Sequence, residues 1–337
     1  MQRNQKNEYK LCVISATYVR VSLRSLMVFD YKLLAALAGV IEQGGFERAA
    51  LALGLSQSAV SQRIKLLEAR VGQPVLVRAN PPAPTDVGRR LLNHVQQVRL
   101  LERDLRGQVP TLDDEPRPER LRIALNADSL ATWWAAAVGE FCSAQGLLLE
   151  LLVEDQDVGL KRMRAGEVAA CVCAAERPVA GARSQLLGAM RYLPLATPGF
   201  MEQYLPHGFS AQALACAPAL IFGPDDFLQH RYMASLGVET VQVYHLCPSS
   251  EGFLRMAEAG AGWGLIPQAQ AARQLAEGVL VELLPGFHSD VPLYWHHWRN
   301  GGQLLDALTT HLLRQARRAL IPPEDVSATR LSSKGFS

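Results

Sequence analysis

No stretch of this chain approaches the roughly 18 consecutive apolar residues that a helix needs to cross a bilayer. A helical membrane protein is therefore excluded. Cysteine is sparse: the six residues, at 12, 142, 171, 173, 216 and 247, include no CxxC pair and no metal-ligand spacing. Cys171 and Cys173 lie two apart in an apolar run, on one face of an expected strand. They read as reduced thiols acting as small core hydrophobes in a cytoplasmic protein, with a redox switch as the alternative. Enzyme signatures are missing too. There is no Gly-x-Ser-x-Gly elbow, no P-loop, no Gly-x-Gly-x-x-Gly after a strand and no His/Glu metal spacing, and the eight histidines are scattered. The glycine-rich Gly260-Ala261-Gly262-Trp263-Gly264 follows an expected helix and turns the chain into the next strand. The reading is of no enzyme, no cofactor and no metal.

The net charge of +2 conceals an uneven distribution: residues 1–29 carry +4, residues 30–106 carry +4 and residues 107–337 carry −6. A basic N-terminal part joined to an acidic remainder fits a nucleic-acid binder with a separate sensory or catalytic domain. A hydrophobic content of 49% with 20% charged residues is that of a soluble globular protein, and 337 residues suffice for two or three domains. The first 26 residues are basic. Their longest apolar stretch, Leu11 to Val19, is interrupted by Ser15 and Thr17 and has no small-residue cleavage site after it, so it makes a poor signal peptide. The expectation is that translation starts at Met27 and that what precedes is a gene-call artefact or a disordered arm. From Pro322 the composition is that of a disordered tail.

What is present is concentrated between Phe46 and Lys65. A short alanine-rich helix, a turn at Gly54, and a second helix opening with small polar residues form a pair that fits the major groove of DNA. Ala49 and Ala50 allow close helix approach. Val60, Ile64, Leu67 and Val71 make one buried stripe on the second helix, which leaves Gln57, Ser58, Ser61, Gln62 and Lys65 on its open face. An ordinary helical hairpin with a polar outer face is the bland alternative. Asp30 caps a first helix through Gln43. Pro74–Arg78, followed by the stiff Pro81-Pro82-Ala83-Pro84, reads as the strand and return of a wing. Thr85 and Asp86 start a long amphipathic helix to about Arg106. Its stripe of Val87, Leu91, Val95, Val98, Leu101 and Leu105 needs a partner, which a second copy of the helix would supply.

Beyond a linker of mixed charge and proline, Pro110 to Arg120, strands and helices alternate. Strands are expected over Leu121–Leu125, Leu147–Val153 and Val168–Cys173, then near Ala219–Phe222, Val241–Leu246 and Val279–Leu283. Helices are expected over Asp128–Cys142, Ser250–Ala259, Gln268–Glu277 and Gln303–Leu320. This alternation predicts α/β architecture with mostly parallel strands, in two similar halves with a ligand cleft beyond the carboxyl ends of strands.

With these parts in place, the chain from Asp30 to about Leu320 resembles the LysR-type transcriptional regulators. The superfamily motifs are Gly45–Ala50, Ser58–Lys65 and Leu76-Val77-Arg78. Asn126-Ala127-Asp128-Ser129-Leu130-Ala131-Thr132-Trp133, Val153-Glu154-Asp155, Ser249-Ser250-Glu251 and Leu293-Tyr294-Trp295-His296 are similar to the narrower ArgP/LysG group. The implied fold is an α/β effector domain of two periplasmic-binding-protein-like subdomains, preceded by an all-α winged helix-turn-helix and a long linker helix. The implied division is an extension over 1–28, a DNA-binding domain over 29–85, a linker and dimerisation helix over 86–108, an effector domain over 119–321 and a tail over 322–337. The resemblance further implies a cytoplasmic homodimer or tetramer that binds double-stranded DNA, with RNA polymerase as a candidate partner and no membrane. Its effector is lysine or arginine, and it controls genes such as amino-acid exporters; one member of the group was also described as inhibiting replication initiation. Two features depart from the pattern: the 26-residue extension, and Ala83 where a basic residue is usual, which leaves Arg78 as the wing's only charge.

For DNA, Gln57, Ser58, Ser61 and Gln62 sit where base edges can be met, while Arg63, Lys65 and Arg78 suit phosphates. For a basic amino acid, Ser129, Ser249, Ser250 and nearby helix-start amides suit the carboxylate, and Asp128, Glu154 and Asp155 suit the cations. Asp128 has a second reading as a helix N-cap, and Glu154 and Asp155 as plain loop acids. Trp133, Trp134 and Trp295 read as core residues or, for Trp295 above all, as an aromatic wall for a cation. The rival readings are an enzyme, a transport-type amino-acid binding protein, and a regulator answering to an aromatic or organic acid.

Overall fold

The computed structural model describes residues 30–77, 79–109, 119–154, 159–164, 167–238 and 241–324. The extension expected over 1–28, Arg78, Asp155 and the tail from 325 lie outside the described residues, as does the side chain of Glu154. The chain forms two compact units, one up to Val95 and one from Gln96 onward.

The first unit is built on three helices, α1 (Tyr31–Glu42), α2 (Phe46–Leu53) and α3 (Gln57–Val71). Asp30 opens α1 by accepting the Lys32 N–H at 3.0 Å, a contact that satisfies one of the four amides a helix start leaves unpaired. Ser56 opens α3 in the same way, accepting from Ala59 N–H at 3.2 Å. Between α2 and α3 the chain turns at Gly54, whose φ of +63° a Cβ would oppose. Val60, Ile64 and Leu67 of α3 close on Ala49 and Ala50 of α2 and on Leu34 and Leu37 of α1 in one core. Each large apolar side chain so buried stabilises the unit by about 1.5–3 kcal/mol. Strands β1 (Leu76–Val77) and β2 (Ala83–Pro84) pair antiparallel as the wing. Helix α4 (Asp86–Gln108) then begins hard against the chain before the wing: a Cβ on Gly88 would run into the Val75 carbonyl oxygen.

The boundary between the units falls inside α4 rather than at its ends, because its apolar residues serve two cores. Leu91 and Val95 are buried in the first, and Leu100 is buried in the core of the second. Leu101 and Leu105 of the expected stripe stay about half exposed.

The second unit holds a seven-stranded sheet and a small two-stranded one. Strands β3 (Glu119–Asn126), β4 (Leu147–Glu154) and β5 (Ala170–Cys173) run parallel, with β3 in the middle. Two long strands follow, β6 (Ala182–Ala196) and β11 (Ser289–Trp298), paired antiparallel with one another along their length. Strand β11 also borders β5, while β6 carries β9 (Gly264–Pro267) and β10 (Val281–Glu282), all antiparallel. The expectation of mostly parallel strands is corrected here. It holds for β3–β5 and for the separate pair β7 (Ala219–Ile221) and β8 (Tyr244–Leu246), but not for the sheet as a whole. The miss was β6. In β6 residues 184–186 are half-buried and the second half is almost wholly buried, so period-2 alternation never develops.

Strands β3–β5 form one lobe, β7–β10 the other, and β6 and β11 pass through both. The helix expected from Asp128 is one helical run in three parts: α5 (Ala127–Ser129), a wider π-type turn over Leu130–Trp134, and α6 (Ala135–Gln145). Short helices α7 (Gly159–Arg164), α8 (Pro198–Tyr204), α9 (Ala211–Cys216) and α10 (Leu228–Ser235) connect the strands. Helix α11 (Ser250–Glu258) and the short α12 (Ala272–Ala276) follow, and α13 (Gly302–Ala319) closes the unit against α6 and β6.

Candidate functional sites: an exposed helix and an acidic cavity

On α3, Gln57, Ser58, Gln62 and Lys65 are exposed, and Ser61 and Arg63 are half-buried. All six therefore lie off the buried stripe, on or beside the open face. The Ser58 hydroxyl shares a 2.9 Å hydrogen bond with that of Ser56, the residue that caps the helix. The helix start thus presents short hydroxyls and amides next to longer cationic side chains. That combination suits base edges flanked by phosphates.

In the second unit a cavity of about 500 Å³, open space at its mouth included, lies between the lobes. Asp128, one residue inside the first lobe's helical run, is its polar centre. Its Oδ1 accepts from the Ser250 hydroxyl at 2.7 Å and its Oδ2 from the Tyr192 hydroxyl at 2.8 Å. Three elements converge on one carboxylate: α5, the start of α11 in the other lobe, and the shared strand β6. Gln270 supports Ser250, donating to its carbonyl oxygen at 3.1 Å and accepting from its hydroxyl at 3.1 Å. A second acid, Asp226, also lines the cavity, held by the N–H groups of Phe222 at 3.1 Å and Leu228 at 2.9 Å.

Burial pushes the Asp128 carboxyl above its ordinary value, and the negative charge of Asp226 adds to this. The hydrogen bonds from Ser250 and Tyr192 pull the other way without cancelling it. Such an acid is under-neutralised, and a cation beside it would restore its charge. The lining contains no Lys, Arg or His among the described residues. Two further lining side chains are buried and incompletely used: neither amide atom of Asn126 has a hydrogen-bond partner, nor has Gln229 Oε1. Buried polar groups of this kind call for a ligand or ordered water.

Of the residues expected for an effector, the cavity brings together Asp128 and Ser250. The N-cap alternative for Asp128 is corrected, since the cap position is Asn126 and the carboxylate is turned to Tyr192 and Ser250. Ser249 is exposed and its hydroxyl caps α11, accepting from Gly252 N–H at 3.0 Å. Ser129 is fully buried and outside the lining, its hydroxyl unpartnered. Trp295 is corrected from aromatic wall to core: it is fully buried, stands 6.0 Å from Trp134 between ring centroids, and donates its indole N–H to Thr309 at 2.9 Å. Glu154 lies beside Asn126 in the β3–β4 register, which places its backbone near the cavity. The sequence reading missed Asn126, Tyr192, Asp226, Gln229 and Gln270. Only Asp226 carried a usable signal, as an acid in the loop just beyond a strand. Among the described residues no group of three or more His, Cys, Asp or Glu could hold a metal, and no helix is long and apolar enough to cross a membrane.

Comparison with known proteins decides what this assembly is. Residues 31–89 match the model of the bacterial regulatory helix-turn-helix protein, lysR family, and residues 114–319 match that of the LysR substrate binding domain. The chain belongs to the LysR family. The family is one of transcriptional regulators and not of enzymes. The LysR-family chain is 72% identical over 297 residues to the HTH-type transcriptional regulator ArgP of Pseudomonas fluorescens strain Pf-5, an alignment spanning 88% of this chain and 99% of that protein. Its fold is similar to the crystal structure of ArgP from Mycobacterium tuberculosis, with a TM-score of 0.76 and 38% identity over 87% of this chain and 99% of that one. It is also similar to full-length LysG from Corynebacterium glutamicum with bound effector Arg, with a TM-score of 0.68 and 36% identity over 87% of this chain and all of that one.

Proposed function

We propose that this LysR-family regulator senses a basic amino acid, lysine or arginine, in the cavity around Asp128, and that occupancy changes its affinity for, or activation at, promoters of amino-acid export or metabolism genes. The observation that carries the reading is the charge of the cavity, which pairs two acids with no basic side chain among the described residues. Arginine bound to the similar LysG points the same way. A basic amino acid brings two cations and one carboxylate. Asp128 takes one cation and Asp226 the other, while Ser250 and the first amides of α11, at the positive end of that helix, take the carboxylate. An aromatic or organic acid, the other effector considered, would meet two carboxylates and no compensating cation among the described residues.

The DNA contacts are assigned to Gln57, Ser58, Ser61 and Gln62 for base edges and to Arg63, Lys65 and Arg78 for phosphates. The half-exposed Leu101 and Leu105 of α4 support a homodimer or tetramer paired through that helix. The working form is cytoplasmic, with RNA polymerase as a further partner at the promoter. Regulation requires only that the two cavity states differ in DNA affinity, since a ligand shifts a population by its differential affinity.

The test is calorimetric titration of the full chain with arginine, lysine and glutamate, beside promoter binding with and without each. Binding on the order of micromolar for a basic amino acid, with none for glutamate, is expected. Equal binding of glutamate, or no binding of either base, overturns the assignment and leaves the DNA-binding role standing.

A further inference from the structure

The second unit contains another cavity, of about 1300 Å³ with the open space at its mouth included, which the proposed effector does not use. It lies where four elements meet: the run Thr132–Ala137, the middle of β6 at Ala189–Arg191, the turn at Gln268–Ala272, and the last turns of α13 through Ile321. Its character is opposite to that of the acidic cavity. Ala136, Ala137, Met190 and Leu320 give it apolar walls, and no carboxylate lines it among the described residues. Of its two arginines, Arg191 is saturated by Asp290, to which it donates twice at 2.8 Å. Arg318 is exposed and has no ion-pair partner among the described residues. Trp133, only 4% exposed, also lines the cavity, and its indole N–H has no acceptor. A free guanidinium and an unanswered N–H beside an apolar wall make an incomplete site for an anion with an apolar body.

We propose that this cavity is a second ligand site, for a small amphipathic carboxylate whose aryl or branched alkyl body fills the apolar wall while Arg318 holds its charge. The two cavities share parts. One helical run presents Asp128 to the first and Thr132 to the second, and the Thr132 hydroxyl donates to the Asp128 carbonyl oxygen at 2.6 Å. The chain after β9 presents Gln270 to the first and Gln268 to the second, where Gln268 N–H donates to the Arg191 carbonyl oxygen at 2.9 Å. An occupant of one site therefore bears on the elements that shape the other, and any such coupling is reciprocal.

Equilibrium dialysis of the full chain against 4-phenylbutyrate, with 4-phenylbutanol as its uncharged counterpart, tests this. Expected are binding of the carboxylate, about tenfold weaker binding of the alcohol, and about tenfold weaker carboxylate binding to Arg318→Gln. Ala136→Leu, at an exposed position in the wall, is expected to abolish binding, and arginine to shift the affinity for phenylbutyrate without displacing it. Three results overturn the proposal: no binding up to about 10 mM, binding indifferent to both substitutions, or one-for-one displacement by arginine. A failure of arginine to bind at all would refute the effector assignment above and leave this test intact.

Discussion

Replacing Asp128 by Asn separates function from stability, because the two are expected to move in opposite directions. The amide keeps the shape and can still accept the Ser250 hydroxyl, now 2.7 Å from Oδ1, while its NH₂ donates to the Tyr192 oxygen that now stands 2.8 Å from Oδ2. What disappears is the negative charge. A charge-assisted hydrogen bond contributes about 1.5–3 kcal/mol, so arginine affinity should fall by about tenfold to a hundredfold. Folding raises the Asp128 carboxyl, mainly by burial, so the folded chain holds that proton more tightly than the unfolded one. The associated stability is fully present in acid, below the ordinary carboxyl value. It is lost as the pH rises through the raised folded value, so the ionised group destabilises the fold at neutrality. Asp128→Asn should therefore be at least as stable as the parent at pH 7, with the margin shrinking as the pH falls. Thermal unfolding from pH 7 down to pH 4, alongside calorimetry with arginine, reads both quantities. A variant that binds arginine as the parent does, or that is less stable at pH 7 and gains on acidification, would refute this account of the site.

Trp295→Phe should leave arginine affinity unchanged and lower stability by about 1–2 kcal/mol, since Thr309 loses its donor and the core a ring edge; calorimetry and urea titration distinguish this from the aromatic-wall reading. Gly88→Ala puts a methyl group into the Val75 carbonyl oxygen and should cost about 1–3 kcal/mol, read as earlier thermal unfolding with loss of DNA binding. On α3, Gln62→Ala should relax sequence preference at one position at a cost of about 1–3 kcal/mol. Lys65→Ala should weaken all sequences alike and reduce the slope of log K against log salt by about 1; gel shifts over a salt series separate the two.

The first unit was legible because its signals are local. Asp30, Gly54 and Ser56 mark their helix boundaries through contacts spanning only a few residues. The cavity was half legible. Asp128 and Ser250 stand at helix starts, a position recognisable from sequence. Tyr192, Gln229 and Gln270 gain their roles only when a strand, a helix and a turn far apart in sequence are brought together, and Tyr192 sits on a strand whose pattern hid it. Gly188, Pro194 and the charged Arg191 interrupt β6 in the sequence, yet the strand continues through all three. Trp295 shows the converse error. An aromatic ring in a family-like motif suggested a ligand, whereas Thr309 on α13 was waiting to complete it.

Strands β6 and β11 belong to neither lobe alone, and this restricts how the sensor can respond. Lobes joined by flexible loops could swing apart freely. Here they share a ladder along the length of two strands, irregular only between Leu293 and Tyr294. Opening the cleft must twist that ladder, as a torsion bar is twisted, and the bar resists in proportion to the angle. The response to ligand is then a small rotation delivered stiffly, and its size is set by the pair of strands before any effector arrives.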